Sequence, residues 1–188
     1  MKNNKPLITT FILIVLMFVL IFIQELFSNN FKEVALVDNN VGQLKTYSYE
    51  DKNISFSLPE NWQNEVVECD NYGTFKVRFK DNENNVIGYI DIISYKEDVT
   101  TLAQKDMDNM TLSHSEEKIE TYKSKNRNSI IVEYTTKVNK GYKYNNTNYY
   151  VPLNDERLAK CTFITKEDKY KDSLKLVYNV IIDSIALK

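Results

Sequence analysis

Residues 49–62 read YEDKNISFSLPENW, and this stretch decides the class of fold. In its centre, residues 54–58 alternate apolar and serine side chains, which is the period of a strand with one buried face. Pro59 lacks the N–H that a sheet ladder needs and is predicted to end the strand. Trp62 is then expected to fill the core beside it, because a tryptophan is highly buried on average. A strand with one apolar face must pack on another layer, so the stretch predicts a sheet-based domain.

Further strand patterns follow at short intervals towards the C-terminus. Residues 75–80 alternate in the same way, and residues 81–85 (DNENN) predict a polar turn. Residues 86–95 (VIGYIDIISY) are apolar on both faces, so this strand is predicted to lie centrally in the sheet. Residues 139–141 (NKG) suit a tight hairpin turn with glycine at positive φ. The remaining predicted strands cover residues 118–123, 129–138 and 158–165.

Two segments change to a helical period. Apolar residues recur at helical spacing from Val99 to Met110, where Thr101 and Gln104 are placed as a capping box. Residues 170–185 carry an apolar stripe opposite a charged face, which predicts an amphipathic helix packed on the sheet. The predicted fold class is α+β: an antiparallel sheet of about six or seven strands, with one helix inserted midway and one at the end.

The N-terminal residues predict a membrane anchor. Residues 7–23 read LITTFILIVLMFVLIFI, and a helix extended to residue 27 reaches the roughly 20 residues that span a bilayer. Lys2 and Lys5 precede this run, so the positive-inside bias places the N-terminus in the cytoplasm and the rest outside. A cleaved signal peptide stays an alternative, although the apolar run is longer than usual and lacks a small-residue cleavage site. The predicted order is a cytoplasmic tail (1–6), a single-pass transmembrane signal-anchor helix (7–27), a stalk or linker (28–44) and an extracytoplasmic domain (45–188).

The charge composition argues against a nucleic-acid partner. The chain has 24 basic and 26 acidic side chains, which give a formal net charge of -2. Binding to nucleic acid calls instead for a concentrated basic face. A nearly neutral, well-mixed surface lacks such a face.

The two cysteines allow a disulfide without establishing one. Cys69 and Cys161 both follow the predicted anchor, which places them in a compartment where disulfides form. Their spacing alone does not test whether their Cα atoms approach within about 7 Å. The alternative interpretation is two small, half-buried residues without a bridge.

No catalytic or metal-binding motif is recognised in the sequence. His114 is the only histidine, and its polar neighbours predict an exposed connection, so no catalytic residue, metal site or cofactor is predicted. Asp81 and Glu83 could bind calcium weakly. The run lacks the spaced acidic pattern of a calcium loop, and a hairpin turn uses the same residues for its own backbone.

One aromatic cluster is singled out as a candidate binding surface. Tyr142, Tyr144, Tyr149 and Tyr150 are interleaved with lysine and asparagine, which favours contact with a protein or a glycan. The alternative interpretation is cross-strand tyrosine pairing that stabilises a hairpin. Both interpretations stay open at this point.

Two stretches of the sequence resemble the PsbP-like domain family. The run 49–62, with its tyrosine, alternating strand, proline and tryptophan, is similar to the opening of those domains. Residues 180–185 (VIIDSI) resemble their closing helix, which finishes at a serine before a large apolar residue. The resemblance covers about residues 45–188 and implies an antiparallel sheet flanked by helices, an α/β/α sandwich. It also implies a non-enzymatic binding or assembly module, while the metal-binding residues of photosynthetic members have no matching motif here.

These observations predict a membrane-tethered, extracytoplasmic binding or assembly module of the cell envelope without a catalytic centre. Its predicted contacts are the membrane, through residues 7–27, and a protein or cell-wall glycan partner. Two rivals stay open. One is an envelope hydrolase with an unrecognised site, for which His114 is the residue to test, and the other is a structural envelope protein that associates with itself.

Overall fold

The structure, a computed structural model, describes residues 5–67, 75–124, 127–138 and 141–188. Its helices are α1 (Lys5–Asp38), α2 (Val99–Asp108) and α3 (Asp172–Ser184), and short 3-10 turns cover Glu50–Lys52 and Glu167–Lys169. The strands in chain order are β1 (Leu44–Tyr49), β2 (Ile54–Pro59), β3 (Gln63–Val67), β4 (Phe75–Asp81), β5 (Val86–Ser94), β6 (His114–Ser124), β7 (Arg127–Lys137), β8 (Lys143–Pro152), β9 (Arg157–Lys166) and β10 (Ala186–Leu187).

The strands of the described ranges form two antiparallel sheets. The larger sheet has seven strands in the order β3-β4-β5-β9-β8-β7-β6, and the smaller sheet has the order β1-β2-β10. The larger sheet confirms the predicted α+β class with an antiparallel sheet of six or seven strands. The smaller sheet is absent from the sequence prediction, because β1 shows mostly exposed side chains and β10 has only two residues.

Helices lie on both faces of the larger sheet. One face packs against α3 and β2 in a single apolar cluster that contains Phe56 and Leu174. The other face packs against α2, whose Ala103 and Met107 join a second cluster with strand residues such as Val132. Each face of the sheet is therefore covered by at least one helix.

The stretch that opens the domain folds as its pattern predicts. β2 ends at Pro59, and Trp62 is only 3% exposed, with its ring stacked on Phe79 at a centroid distance of 5.6 Å. The row of rings continues through Phe163, which stacks on Tyr178 of α3 at 4.0 Å. This aromatic row joins the opening stretch to the closing helix through the centre of the sheet.

Two local predictions can be compared with the structure in detail. The predicted capping box of Thr101 and Gln104 is wrong, because Asp98 caps α2. The Asp98 carboxylate accepts hydrogen bonds from the N–H groups of Thr100 and Thr101 at 2.8 and 3.2 Å, and so satisfies two helix N–H groups by itself. The predicted positive φ in the hairpin turn is confirmed at Gly141, where φ is 82°; the other turn residues lie outside the described part.

α1 continues past the apolar run and docks on α3. Lys32 Nζ lies 3.0 Å from Asp183 Oδ2 near the end of α3, and Asn39 Nδ2 donates to Ser173 Oγ at its beginning, also at 3.0 Å. The two helices therefore run antiparallel. The segment predicted as a stalk, residues 28–44, is helical as far as residue 38 and packs on the domain.

Within the described ranges, no helix meets the combined length and hydropathy expected of a membrane-crossing segment. The side chains of residues 5–9, 22 and 24–29 lie outside this description. The membrane span predicted at residues 7–27 therefore stays a prediction.

Candidate binding cleft

Two of the four predicted tyrosines lie in the core. Tyr149 and Tyr150 are both 0% exposed and, as neighbours on β8, point to opposite faces of the sheet. Tyr149 donates to Asn179 Oδ1 of α3 at 2.8 Å, and Tyr150 donates to Asp106 Oδ2 of α2 at 2.9 Å. Their hydroxyls thus hydrogen-bond the two helices to the sheet. The four rings do not form one surface.

The other two tyrosines lie near the start of β8. Tyr142 is 49% exposed, and Lys166 Nζ lies 5.1 Å from the centroid of its ring. Tyr144 is half-buried and pairs with Lys166 across the strands. Binding at Tyr142 and Tyr144 stays a prediction.

Cys161 is the described member of the predicted disulfide. Cys161 is a free thiol on β9 and is 0% exposed, and burial raises the pKa of that thiol well above its ordinary value. Cys69 lies outside the described residues. The bridge stays a prediction, and Cys161 by itself is an unreactive core residue.

The residues considered for catalysis or calcium have local structural partners. His114 opens β6, where its Nδ1 lies 3.1 Å from the Leu112 carbonyl oxygen. The Asp81 carboxylate accepts from the N–H of Glu83 at 2.9 Å and from the side-chain amide of Asn84 at 2.6 Å. Asp81 thus stabilises its own turn, and in the described residues no three acidic, histidine or cysteine side chains are grouped to hold a metal.

Polar side chains converge in a cleft of about 160 Å³ on the α3 face of the sheet. We call it the polar cleft. The strands supply its floor, because odd-numbered residues of β7 and β8 point to this face, and a residue just before α3 supplies one wall. The side chains that build it are Glu116, Glu133, Thr135, Asn145, Thr147 and Tyr170.

One hydroxyl in the polar cleft faces two acceptors. Thr135 is 7% exposed, and its Oγ1 lies 3.3 Å from both Glu116 Oε2 and Asn145 Oδ1. A threonine hydroxyl has a single proton to donate, so it satisfies one of these oxygens at a time. One of the two oxygens is therefore left to accept from another donor.

A β-bulge aims Glu116 at the polar cleft. Ser115 pairs with Thr135 and Lys118 pairs with Glu133, so two residues of β6 stand opposite one residue of β7. Glu116 takes a φ of 59°, in the left-handed region that a non-glycine residue adopts only at a cost in free energy. The bulge turns this carboxylate off the strand edge and brings it within reach of Thr135.

The neighbouring groups adjust the charge of the polar cleft. Lys175 Nζ of α3 lies 2.8 Å from Glu133 Oε2 and neutralises that carboxylate. Burial, together with the nearby Glu133 and Asp172 carboxylates, raises the pKa of Tyr170 to about 12. Tyr170 therefore keeps its phenolic proton at neutral pH and remains a hydrogen-bond donor.

The polar cleft lies at the end of the domain that faces away from the N-terminus of α1. Tyr170 directly precedes α3, and the first turn of α3 contacts Asn39 at the end of α1. The other end of α3 contacts Lys32, and residues 5–27 of α1 lead away from that side. The cleft and the apolar run are thus at opposite ends of the molecule.

Two further clefts lie elsewhere on the domain. One, of about 180 Å³, lies on β3 and β4 around Glu65 and Arg78, and the other, of about 250 Å³, lies between Phe75, Ile92 and Arg157.

The sequence signals missed the polar cleft for a physical reason. Glu116 stands in a run of charged residues that reads as a solvated face, and Thr135 and Asn145 look like ordinary strand residues. Only the register of three strands, with a bulge in one of them, brings these side chains together. A single sequence does not reveal such a register.

Comparison with known proteins gives a result only at the level of structure. No protein-family model matches the sequence, and no curated protein matches it. Solved structures do match. The solution structure of the cyanobacterial PsbP protein, CyanoP, from Synechocystis sp. PCC 6803 is similar over 79% of this chain and 94% of its own, with 18% sequence identity and a TM-score of 0.55.

Two other solved structures show weaker likeness. LpqN, involved in cell envelope biogenesis of Mycobacterium tuberculosis, matches over 81% of this chain and 94% of its own, with 12% identity and a TM-score of 0.45. A Pseudomonas aeruginosa protein of unknown function, described as a putative regulator, matches over 68% and 86%, with 12% identity and a TM-score of 0.40. The assignment of the fold rests on the cyanobacterial structure.

The antiparallel sheet with helices on both its faces is the arrangement that the resemblance of residues 49–62 and 180–185 implies. At 18% identity the likeness concerns the fold. The chain has a PsbP-like fold.

Proposed function

We propose that this chain is a membrane-tethered, extracytoplasmic binding or assembly module of the cell envelope, without a catalytic centre. The single observation that carries the proposal is the continuity of α1. One uninterrupted helix joins the apolar run to a segment docked on α3 by Lys32 and Asn39. An anchor joined in this way holds a folded domain at a fixed place beside the membrane.

The exposed surface of α1 supports the tether. Each side chain from Phe11 to Ile21 is between 45% and 65% exposed, so apolar side chains face outward all round the helix. A helix that is apolar on every side needs an apolar surrounding, because each Å² of apolar surface left in water forgoes about 25 cal/mol. Hydrocarbon is the surrounding that suits this apolar run when the helix is extended to residue 27, and Lys2 and Lys5 favour a cytoplasmic N-terminus.

The polar cleft supports a binding role beyond the membrane. It opens at the end of the domain opposite the apolar run, which on this topology faces away from the lipid. Its side chains offer hydrogen-bond acceptors and an aromatic wall, which are the groups that orient a polar ligand. The module thus combines an anchor at one end with a recognition site at the other.

Fractionation of cells that express the full chain tests the tether. The wild-type chain is expected in the membrane pellet after alkaline carbonate extraction, at its full-length mass. The double variant Leu13→Lys, Leu16→Lys is expected to leave the pellet, because each charge near the centre of a span costs roughly 2.5–3.5 kcal/mol of insertion free energy.

The matched control is Val34→Lys with Val37→Lys, on the same helix but beyond the predicted span. Val34 and Val37 are 57% and 78% exposed, so the two lysines change hydropathy without changing the packing. This variant should stay with the membrane. A wild-type chain in the soluble fraction, or a shortened chain released from the cell, would contradict the tether.

A further inference from the structure

We infer that the polar cleft binds carbohydrate, with one hydroxyl-rich sugar ring of a longer glycan seated between β6, β7, β8 and Tyr170. The inference rests on the proposed binding function and names the class of ligand. It is carried by the hydrogen-bonding groups of the cleft, by the ring of Tyr170 in its wall and by the size and position of the opening.

The polar cleft offers acceptors to a ligand that carries donors. Thr135 can give its one proton either to Glu116 Oε2 or to Asn145 Oδ1, each 3.3 Å away. A carboxylate accepts at two oxygens and about four lone-pair sites, and an amide oxygen accepts two more hydrogen bonds. A ligand with several hydroxyl groups supplies donors at closely spaced positions and fills this capacity.

Among the described residues, one carboxylate of the cleft lining has no ion pair. Glu133 is already paired with Lys175 at 2.8 Å. Glu116 is then the carboxylate left to receive hydroxyl donors, and hydrogen bonds to a charged acceptor are stronger than those to a neutral one. The positions of these hydrogen bonds would then discriminate between one hydroxyl-bearing ligand and another.

Tyr170 gives the polar cleft an amphipathic wall. Its ring is half-buried, and its pKa of about 12 keeps the O–H protonated across the physiological range. A ring of this kind presents an apolar surface to the C–H side of a sugar and a polar handle to a hydroxyl. A purely hydrogen-bonding site for an ion would not need such a wall.

The size and place of the cleft fit the end or side of an extended glycan. Its volume of about 160 Å³ is below the roughly 300 Å³ typical of pockets that enclose a drug-sized ligand. One ring fits inside, while the rest of a longer chain continues outward. The opening points away from the apolar run, towards the side where a glycan outside the membrane would lie.

Isothermal titration of the full chain tests the inference. The protein is held in a polyoxyethylene detergent, because detergents with sugar headgroups would compete for the site. The probe is a soluble oligosaccharide of N-acetylglucosamine, titrated at low and at high salt. Saturable binding is expected for the wild-type chain, with little dependence on salt because the probe is uncharged.

The variant that tests the site is Glu116→Gln, with Glu117→Gln as the matched control. Glu116 and Glu117 are adjacent, exposed residues of the same bulge, and Glu117 lies beside His114, outside the cleft lining. Loss of the charged acceptor should weaken binding about tenfold or more, while the control should stay within about twofold of wild type. Thr135→Val, checked for a normal melting curve, should weaken binding in the same way.

The outcomes separate the hypotheses. No saturable binding of the oligosaccharide, or equal losses in the two glutamate variants, would overturn the inference. Binding of a diamine such as cadaverine in its place, with a steep fall at high salt, would overturn it in favour of a cationic ligand. None of these results changes where the chain fractionates, so failure here is distinguishable from failure of the membrane tether.

Discussion

Gly88 leaves room for an aromatic ring in the middle of the larger sheet. A Cβ at this position would lie 2.2 Å from two ring carbons of Phe79 and 2.7 Å from the carbonyl oxygen of Thr162. Phe79 belongs to the aromatic row that joins Trp62 to α3, so the ring has little space in which to move. The glycine is therefore required by close packing.

Gly88→Ala is expected to lower the free energy of unfolding by about 1–3 kcal/mol, because an overpacked core must shift its rings or its backbone. Urea denaturation followed by the fluorescence of Trp62 measures the change. Gly42→Ala is the control, since its Cβ would meet nothing closer than 3.8 Å. It should stay within about 0.5 kcal/mol of wild type, and equal losses at the two glycines would show that packing against Phe79 is not the cause.

For single residues, the sequence predicts burial where the residue type requires a particular environment. Trp62 and Pro59 lie where their chemistry requires, in the core and at a strand end. Tyr149 and Tyr150 are different, because a tyrosine serves a core and a surface equally well. The strand register decides between the two, and it buries both rings.

Among the elements, α2 shows how one side chain sets a helix boundary. Asp98 accepts hydrogen bonds from the N–H groups of Thr101 and Thr100, and these bonds lower the pKa of its carboxyl group. The folded pKa is thus below the unfolded one. Such a group contributes stability that is present above the unfolded pKa and is lost as the pH falls through the folded pKa.

Asp98→Asn separates the charge from the cap. Asparagine also caps helices well, so α2 should remain in place. The wild-type chain should be the more stable of the two at pH 7, and this difference should shrink as the carboxylate is protonated towards about pH 3. Thermal melts at several pH values measure it. A difference in stability between the two chains that stays constant with pH would mean that the charge of Asp98 does not stabilise α2.

The contact between α1 and α3 depends on Asp183. Its carboxylate lies 3.0 Å from Lys32 Nζ and accepts from Tyr122 at 3.1 Å and from Ser124 at 2.9 Å. The side chain is 22% exposed, so its loss leaves three polar groups without this partner in a partly buried place.

Asp183→Ala is therefore expected to lower the free energy of unfolding by about 1.5–3 kcal/mol and to loosen the end of α1. Hydrogen exchange over residues 32–39 should become faster. Asp168→Ala provides the comparison, because its pair with Lys166 is an exposed one, worth at most about 1 kcal/mol. Unchanged exchange in the Asp183 variant would mean that other contacts hold α1 in place.

The elements that the sequence predicts are those with a strong apolar period. β2, β4 and α3 alternate or form a stripe, because each buries one side against the core. β5 is predicted from a run that is apolar on both faces. β1, β3 and β10 lie outside this rule. Their side chains are mostly exposed or few, and backbone pairing with a neighbouring strand places them in a sheet.

For the whole molecule, Cys161 reports on opening of the core. The thiol is 0% exposed on β9, and burial holds its pKa high, so neither access nor ionisation favours reaction. In a Cys69→Ser background, Cys161 should react with a maleimide at least about 1,000-fold more slowly in buffer than in denaturant, since reaction requires unfolding. Mass spectrometry of the adduct gives both rates. Fast labelling in buffer would contradict a closed core.

The sequence predicts the fold class of the protein but not its polar cleft. The α+β class and the PsbP-like resemblance follow from residues 49–62 and from the closing helix, since both carry strong packing patterns. The polar cleft does not follow, because a bulge at Glu116 and the register of Thr135 against Asn145 create it. Local patterns report burial, while a site requires knowledge of which distant residues meet.

The antiparallel contact of α1 with α3 also sets the distance between the apolar run and the domain. With residues 7–27 in a bilayer, the eleven residues from 28 to 38 rise about 16 Å above it at 1.5 Å each, without a swivel before the first docked side chain. A domain held by a rigid helix can reach ligands only within a narrow range of distances from the membrane. Lengthening α1 by whole turns would move the domain away from the membrane by one helical pitch at a time, so the length of this helix sets the distance.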